Sequence, residues 1–389
     1  MLQNIHFDKF HSLVSVLNTI PDFRKRNHLL KHKLGNILII MILAIMSNYT
    51  SQRGMEEFSR NNANHLKQAL GVESIPTRSL FNRVCIHLNY ELFTQAISNW
   101  LTDVLTFLGI RSNTIAIDGK ALEGTSSKQN HNTANQNMLY VVSMFESNLG
   151  LVLGDQIMEG KKTSEAKVAR ELLPSCRDLI VTADALHCSQ PTIKTMMSLG
   201  VDYVIGLKRN NALLFKQLRE WSIIQECYQD KDGRSVEVYT VPNQFNVWKE
   251  HIYHRKTKTG KSIIQRNKYI AWQDLNLKTL IKVTSIKKKR IYTNFYLSNL
   301  DLPAKELANI IRNHWGIENK LHREKDVVFK EDDHHTIHHN TAKVFSTLIH
   351  TVINVFRLNN YSSMQKATRK FCNKVADCLD LIEFKGMLG

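Results

Sequence analysis

The chain has 389 residues, 43% of them hydrophobic, which is enough for two or three domains with real cores. Its 52 Lys and Arg against 35 Asp and Glu give a net charge of +17, so an anionic partner, above all nucleic acid, is favoured. The longest apolar run, Ile37 to Met46, is about half of a membrane span. None of the six cysteines (Cys85, Cys176, Cys188, Cys227, Cys372, Cys378) sits in a C-x-x-C pair and nothing resembles a secretory signal, which argues against a zinc ribbon and for reduced cytoplasmic thiols.

Residues 1–110 read as a helical domain. "FHSLVSVLNTI" is amphipathic, and "LGNILIIMILAIMS" is apolar on nearly all sides, as a central core helix would be. "GMEEFSRNNANHLKQALG" and "TRSLFNRVCIHL" follow, with Thr77 as a candidate cap for the second. Two short helices around a tight connection fit a helix-turn-helix DNA reader, and equally any small bundle.

From residue 112 the period changes. "NTIAID" reads as a strand ending in Asp118, and "MLYVVSMF" and "GLVLGDQIM" as the rest of a meander. A helix, "SEAKVARELLPS", has Ser164 as a candidate cap. "DLIVTAD" is then a buried strand ending in Asp184, "QPTIKTMMSLG" a helix, and "VDYVIGLK" another buried strand. This order predicts a mixed sheet with parallel later strands and helices on its faces.

About 220–297 reads as a β-rich insertion made of "SVEVYTV", "NVWKEHIYH", "SIIQRNKYIAW" and "RIYTNFYLS". Between Lys249 and Arg290 stand thirteen Lys and Arg against two acids, with aromatics interleaved, which suits a surface that tracks a phosphate backbone. A solvated lysine-rich face is the alternative. Helices then return. Read as one helix, residues 312–326 put Trp315, Glu318, Leu321 and His322 on the same stripe as Ile311. A carboxylate on that stripe needs a buried partner or a bound cation.

Asp118, Asp184 and Glu318 are thus three acids at the ends or inner faces of core elements. Phosphodiester chemistry uses such sets, because two Mg²⁺ ions roughly 4 Å apart activate the attacking oxygen and stabilise the leaving one. Each Asp taken alone could equally cap its own turn.

"AIDGKALEG", "TADALHC", "DYVIGLKRNN" and "IRNHWGIENKLHREKDVVFKEDD" together resemble the DDE transposases of bacterial insertion sequences, nearest to the subgroup that includes the H-repeat-associated proteins of Rhs elements. The upstream "IPDFRKRNHLLKHKLGNILIIMILAIM" and "SIPTRSLFNRV" are also similar, so the resemblance runs from about residue 8 to 356. It implies an α/β, RNase H-like mixed sheet flanked by helices, with a β-rich insertion and an N-terminal helical domain. The expected organisation is 1–110 as the helical, DNA-binding part, 111–345 as the catalytic core with its insertion, and 346–389 as C-terminal helices.

The resemblance further implies Mg²⁺-dependent cleavage and joining of element ends, with Mn²⁺ as a substitute. Asp118, Asp184 and Glu318 match the family's metal-binding acids, Lys208 and Lys325 match family lysines near the DNA, and His314 is expected to contact DNA with them. The implied partners are double-stranded element ends and target DNA, held by a homodimer in the nucleoid. The chain departs from the family's usual pattern at Glu123, at Arg323 and in "HHTIHH". These changes bear on DNA handling and point to the alternative, a weakened or inactive DNA-binding relic. His334, His335, His338 and His339 have the i, i+4 spacing of metal ligands, but a histidine-rich turn facing phosphate needs no metal.

Overall fold

The computed structural model describes residues 12–25, 30–110, 112–125, 138–159, 165–208, 211–242, 247–256, 262–272, 276–334, 336 and 338–384. Among them the elements run α1 (Leu13–Thr19), α2 (Leu34–Met46), α3 (Gln52–Asn61), α4 (Ala63–Leu70), α5 (Arg78–His87), α6 (Tyr90–Phe107), β1 (Thr114–Leu122), β2 (Leu139–Glu146), β3 (Leu151–Glu159), α7 (Glu165–Leu172), β4 (Ile180–Ala183), α8 (Gln190–Ser198) and β5 (Asp202–Leu207). They continue with α9 (Ala212–Trp221), β6 (Ile223–Gln229), β7 (Ser235–Thr240), β8 (Val247–Lys256), β9 (Ser262–Trp272), β10 (Thr279–Lys287), β11 (Arg290–Ser298), α10 (Ala304–His314), α11 (Arg323–Val327), α12 (His339–Leu358), α13 (Met364–Phe371) and α14 (Val375–Ile382). No helix among the described residues is long and apolar enough to cross a membrane.

The chain forms two compact units of discontinuous segments. The first joins residues 1–112, 118–168 and 316–389. Twelve of the thirteen residues of α2 are buried, as its all-round apolar sequence requires. The long helix α12 packs on α2, α5, α6 and β3. Two side chains fix its seat. Asn354 exchanges two hydrogen bonds of 2.8 Å with the backbone of Val152 in β3. The Asn340 amide donates to the carbonyls of Cys85, Ile86 and Leu88, where α5 runs out of helical partners.

The second unit joins 113–117 and 169–315. Here Thr114–Ile117 pairs in parallel with β4, and β4 with β5. All of these residues except Ile180 and Asp202 are buried, as strands covered on both faces are. The antiparallel β11, β10, β7 and β6 extend the same sheet, and α10 lays Leu307, Ala308, Ile310 and Ile311 against it. β1 is common to both units, so the strand order reads β3-β2-β1-β4-β5-β11-β10-β7-β6, with β8 and β9 as a separate hairpin. This is the mixed, helix-flanked, RNase H-like sheet with a β-rich insertion that the resemblance implies.

Several local expectations need correction. β1 continues to Leu122, so Asp118 lies in mid-strand rather than at its end. Thr77 precedes α5 but makes no capping hydrogen bond. Ser164 lies outside the described residues. The insertion contains β6 and β10, which the sequence reading did not separate from their surroundings.

Candidate metal centre

Burial in β1 changes at Asp118: Thr114 to Ile117 are buried, while Asp118 and Gly119 are half-buried. The Gly119 N–H donates to Asp118 Oδ1 at 3.0 Å. A Cβ on Gly119 would lie 2.5 Å from Glu165 Cδ and 2.7 Å from its Oε2, so a carboxyl group occupies the place of a side chain. That close approach accounts for glycine directly after the aspartate.

Glu318 opens one π-helical turn, Glu318–His322, in the same unit. Such a turn carries one residue more than the α-helix provides for, and is frequent at functional sites. The segment is tied down by Lys320 Nζ, which donates to the Ser147 carbonyl at 2.8 Å just beyond β2. Leu321 and His322 are buried, while the Glu318 side chain is 59% exposed. His322 Nδ1 stands 3.0 Å from Glu318 Oε2 and 3.8 Å from Asp118 Oδ2. Burial, then the nearby Lys325 ammonium, push its pKa down to about 4 against the pull of Glu318. The imidazole is therefore neutral at pH 7. One ligand atom each from Asp118, Glu318 and His322 lie within 4.8 Å of one another.

A second acidic group, Asp326, Glu331 and Asp332, looks similar but is already filled. Lys120 Nζ sits 2.8 Å from Asp326, 3.4 Å from Glu331 and 2.9 Å from Asp332. Lys325 Nζ lies 2.9 Å from Glu331 Oε1, with Ser346 Oγ at 3.0 Å and His350 Nε2 at 2.9 Å. Burial alone would raise the Glu331 carboxyl, but Lys325 and Lys120 outweigh it and hold it at about 2. Two ammoniums against three carboxylates still leave one negative charge over. Burial, opposed by Lys120 and assisted by Asp332, accordingly pushes Asp326 up to about 6. At the Asp118–Glu318 pair the neutral His322 imidazole stands 3.8 Å from one carboxylate and 3.0 Å from the other. Two carboxylates brought this close favour a bound cation.

Asp184 belongs to the second unit. It directly follows β4 and accepts from Leu186 N at 2.7 Å, capping the turn Ala185–His187. Gly206 of β5 backs this turn: a Cβ there would lie 3.0 Å from Ala185 N and 3.3 Å from the Asp184 carbonyl carbon. His314, at the end of α10, has Nδ1 3.0 Å from Thr182 Oγ1, two residues before Asp184. Burial drives its pKa down to about 4, although Asp184 pulls the other way. Burial raises the Cys188 thiol to about 12, as expected for an inert core thiol.

The geometry thus brings Asp118 and Glu318 together within one unit, and Asp184 and His314 within the other. Lys208 is exposed just past β5. Two expectations fail. Lys325 is fully buried and its ammonium is spent on Glu331, so it presents nothing to DNA in this structure. Trp315 is 53% exposed rather than buried on the inward stripe, whereas Leu321 is fully buried. His335 lies outside the described residues, and His334, half-buried with its ring 5.7 Å from Phe345, belongs to neither acidic group. His322 was within reach of the sequence, four residues after Glu318 on the same helical face. Glu165 gave no local signal.

Residues 110–355 match the family described as "Transposase DDE domain", and residues 14–101 match one described as "DDE_Tnp_1-associated". The chain is similar to "Putative protein YbfL" of Escherichia coli (strain K12), with 29% identity over 94% of each chain. It is also similar to "H repeat-associated putative transposase YhhI" of the same strain, with 28% identity over 94% of each. The cryo-EM structure of the piggyBac transposase synaptic complex with hairpin DNA aligns over 97% of this chain and 81% of that one, at 10% identity and a TM-score of 0.47, too slight a likeness to bear on function.

Proposed function

This chain belongs to the transposase DDE domain family, and from that premise we propose that it binds the double-stranded ends of a mobile element and cleaves and rejoins phosphodiester bonds there. The observation that carries the reading is the convergence of Asp118 and Glu318, distant in sequence, with His322 on one point, one ligand atom from each lying within 4.8 Å of the others. Their oxygens suit a hard divalent ion, Mg²⁺ or Mn²⁺, with neutral His322 beside them as the hydrogen-bond partner of Glu318. Asp184 is the third acid of the proposed set.

When bound, the metal supplies the Lewis acidity that activates the attacking oxygen and stabilises the leaving one. The chain's own residues do the rest. Asp118, Asp184 and Glu318 would hold the metal. The His322 Nδ1–H donates to Glu318 and aims that carboxylate at Asp118. Lys120 braces β1 two residues beyond Asp118 by pairing with Asp326 of α11. His314, neutral and half-buried beside Thr182, and the exposed Lys208 face the DNA, and the basic insertion follows its phosphates. A homodimer holds the two ends.

The test is cleavage of a supercoiled plasmid carrying the DNA that borders the coding region, with Mg²⁺ or Mn²⁺. Wild type nicks at the element boundary. Glu318→Gln and Asp118→Asn bind the same DNA but lose cleavage by at least about a hundredfold, the scale of removing one group that acts only in the transition state. If wild type and mutants bind equally and none cuts, the chain is a DNA-binding relic. The exposed Glu123 and Arg323 are the observation behind that second reading, and the first positions to revert.

A further inference from the structure

The hairpin β10–β11 outruns the sheet that carries it. β7 pairs with β10 only from Thr279 to Thr284, and β5 pairs with β11 only from Phe295 to Ser298. The last rungs are Ser285 with Tyr292, Ile286 with Ile291, and Lys287 with Arg290. Among the described residues they have no further strand beside them. At about 3.4 Å per residue, the hairpin reaches about 10 Å past β7 before its turn. The turn is two residues long, and both Lys288 (φ 47°) and Lys289 (φ 62°) have left-handed backbone. That is a type I′ turn, where Asn and Gly are the easy residues. Four consecutive cations, Lys287 to Arg290, are carried there in spite of the turn's own preference.

Behind this collar, Ile286 and Ile291 sit side by side on one face, and each is 70% exposed. Tyr292, 47% exposed, stands on the opposite face. Single exposed apolar residues are ordinary, but a paired set at the end of a charged finger is not. Its partner must be anionic outside and apolar within reach. Duplex DNA has that chemistry, with phosphates along its rims and stacked base faces between them. A two-stranded ribbon fits a groove, and an aliphatic wedge between base steps unstacks and kinks the duplex.

We infer that the β10–β11 finger enters a DNA groove, with Lys288, Lys289 and Arg290 on phosphates and the Ile286–Ile291 pair wedged against a base step. This rests on the DNA-binding reading above but not on cleavage. The two failures are therefore separable.

The full chain is titrated, without metal, with a duplex bordering its coding region that carries 2-aminopurine singly at successive positions. Anisotropy reports binding and 2-aminopurine fluorescence reports unstacking. Wild type raises the fluorescence at one step. Ile286→Ser with Ile291→Ser abolishes that rise while the duplex still binds, and Ile286→Leu with Ile291→Leu restores it. Lys288→Gln with Lys289→Gln keeps the rise at saturation but flattens the slope of log K against log salt by about 1.8, the loss of two phosphate contacts at about 0.9 each. An undiminished rise in the serine variant, binding by wild type without any rise, or an unchanged salt slope each overturns the finger. So does isoleucine-dependent capture of anionic phosphatidylserine vesicles in place of the DNA effect. If no duplex is bound at low salt, the DNA-binding reading itself falls.

Discussion

Glu331 and Asp326, a few residues apart in one ion cluster, have opposite relations to pH. Glu331 is held at about 2 in the folded chain, below its ordinary 4.5. Its contribution is present above pH 4.5 and is lost as the pH falls towards 2. At 1.36 kcal/mol per unit this is on the order of 3 kcal/mol. Glu331→Gln therefore flattens the acid limb of a urea-unfolding series. At pH 7 it costs about 3–5 kcal/mol, because Lys325 is left as a buried charge without its anion. Asp326 is raised to about 6, so between about pH 4 and 6 the folded chain binds the extra proton and its stability falls as the pH rises. Asp326→Asn removes that slope and is neutral to stabilising at pH 7. The same unfolding series would refute both ideas if the two mutants ran parallel to wild type. Gly206→Ala gives a third residue-scale outcome. Its Cβ would press on backbone at 3.0 Å, so the Asp184 turn must shift and divalent-ion binding weakens. Isothermal titration with Mn²⁺ checks this, and unchanged affinity would count against Asp184 as a ligand.

At the scale of elements, the π-turn Glu318–His322 brings two of the three clustered side chains, Glu318 and His322, to Asp118. Deleting Asn319 returns the segment to an ordinary α-helix and rotates Glu318 by about 100° relative to His322. Mn²⁺ binding should drop at least about tenfold while the circular dichroism spectrum stays that of wild type; unchanged binding would show that the extra residue is incidental. This turn also marks where sequence reading stops. The inward direction of Ile311, Leu321 and His322 was legible from 3.6-residue periodicity, although Trp315 and Glu318 of the same stripe are more than half exposed; β1, β4 and β5 were legible as strands from their unbroken apolar runs, but β1 as part of a meander rather than as the parallel neighbour of β4. A π-turn has no composition of its own. It arises from tertiary ties such as Lys320 to Ser147, which no local pattern records. Lys325 was misread for a related reason. Spacing placed it correctly on the chain, but its direction is set by Glu331 and His350, supplied by later segments. β6 escaped notice because nearly all of it is exposed, leaving no hydrophobic alternation to detect.

For the whole molecule, the net charge of +17 sets the character of any encounter with DNA. If six to ten phosphates are neutralised, affinity for a mixed-sequence duplex falls roughly 10³- to 10⁵-fold between about 50 and 200 mM salt. A filter-binding series that stayed flat across that range would argue for a partner other than a polyanion. Not all of this charge is available at the surface, since Lys120 and Lys325 are buried among carboxylates. That has a consequence for chemical footprinting. An amine-acylating reagent needs an exposed, deprotonated lysine. Lys120 is neither, because the carboxylates around it, Glu331 first, outweigh its burial and raise its pKa. Its modification, followed by mass spectrometry, becomes a clock for local opening beside Asp118. A divalent ion that bridges Asp118 and Glu318 would slow that clock without touching either lysine.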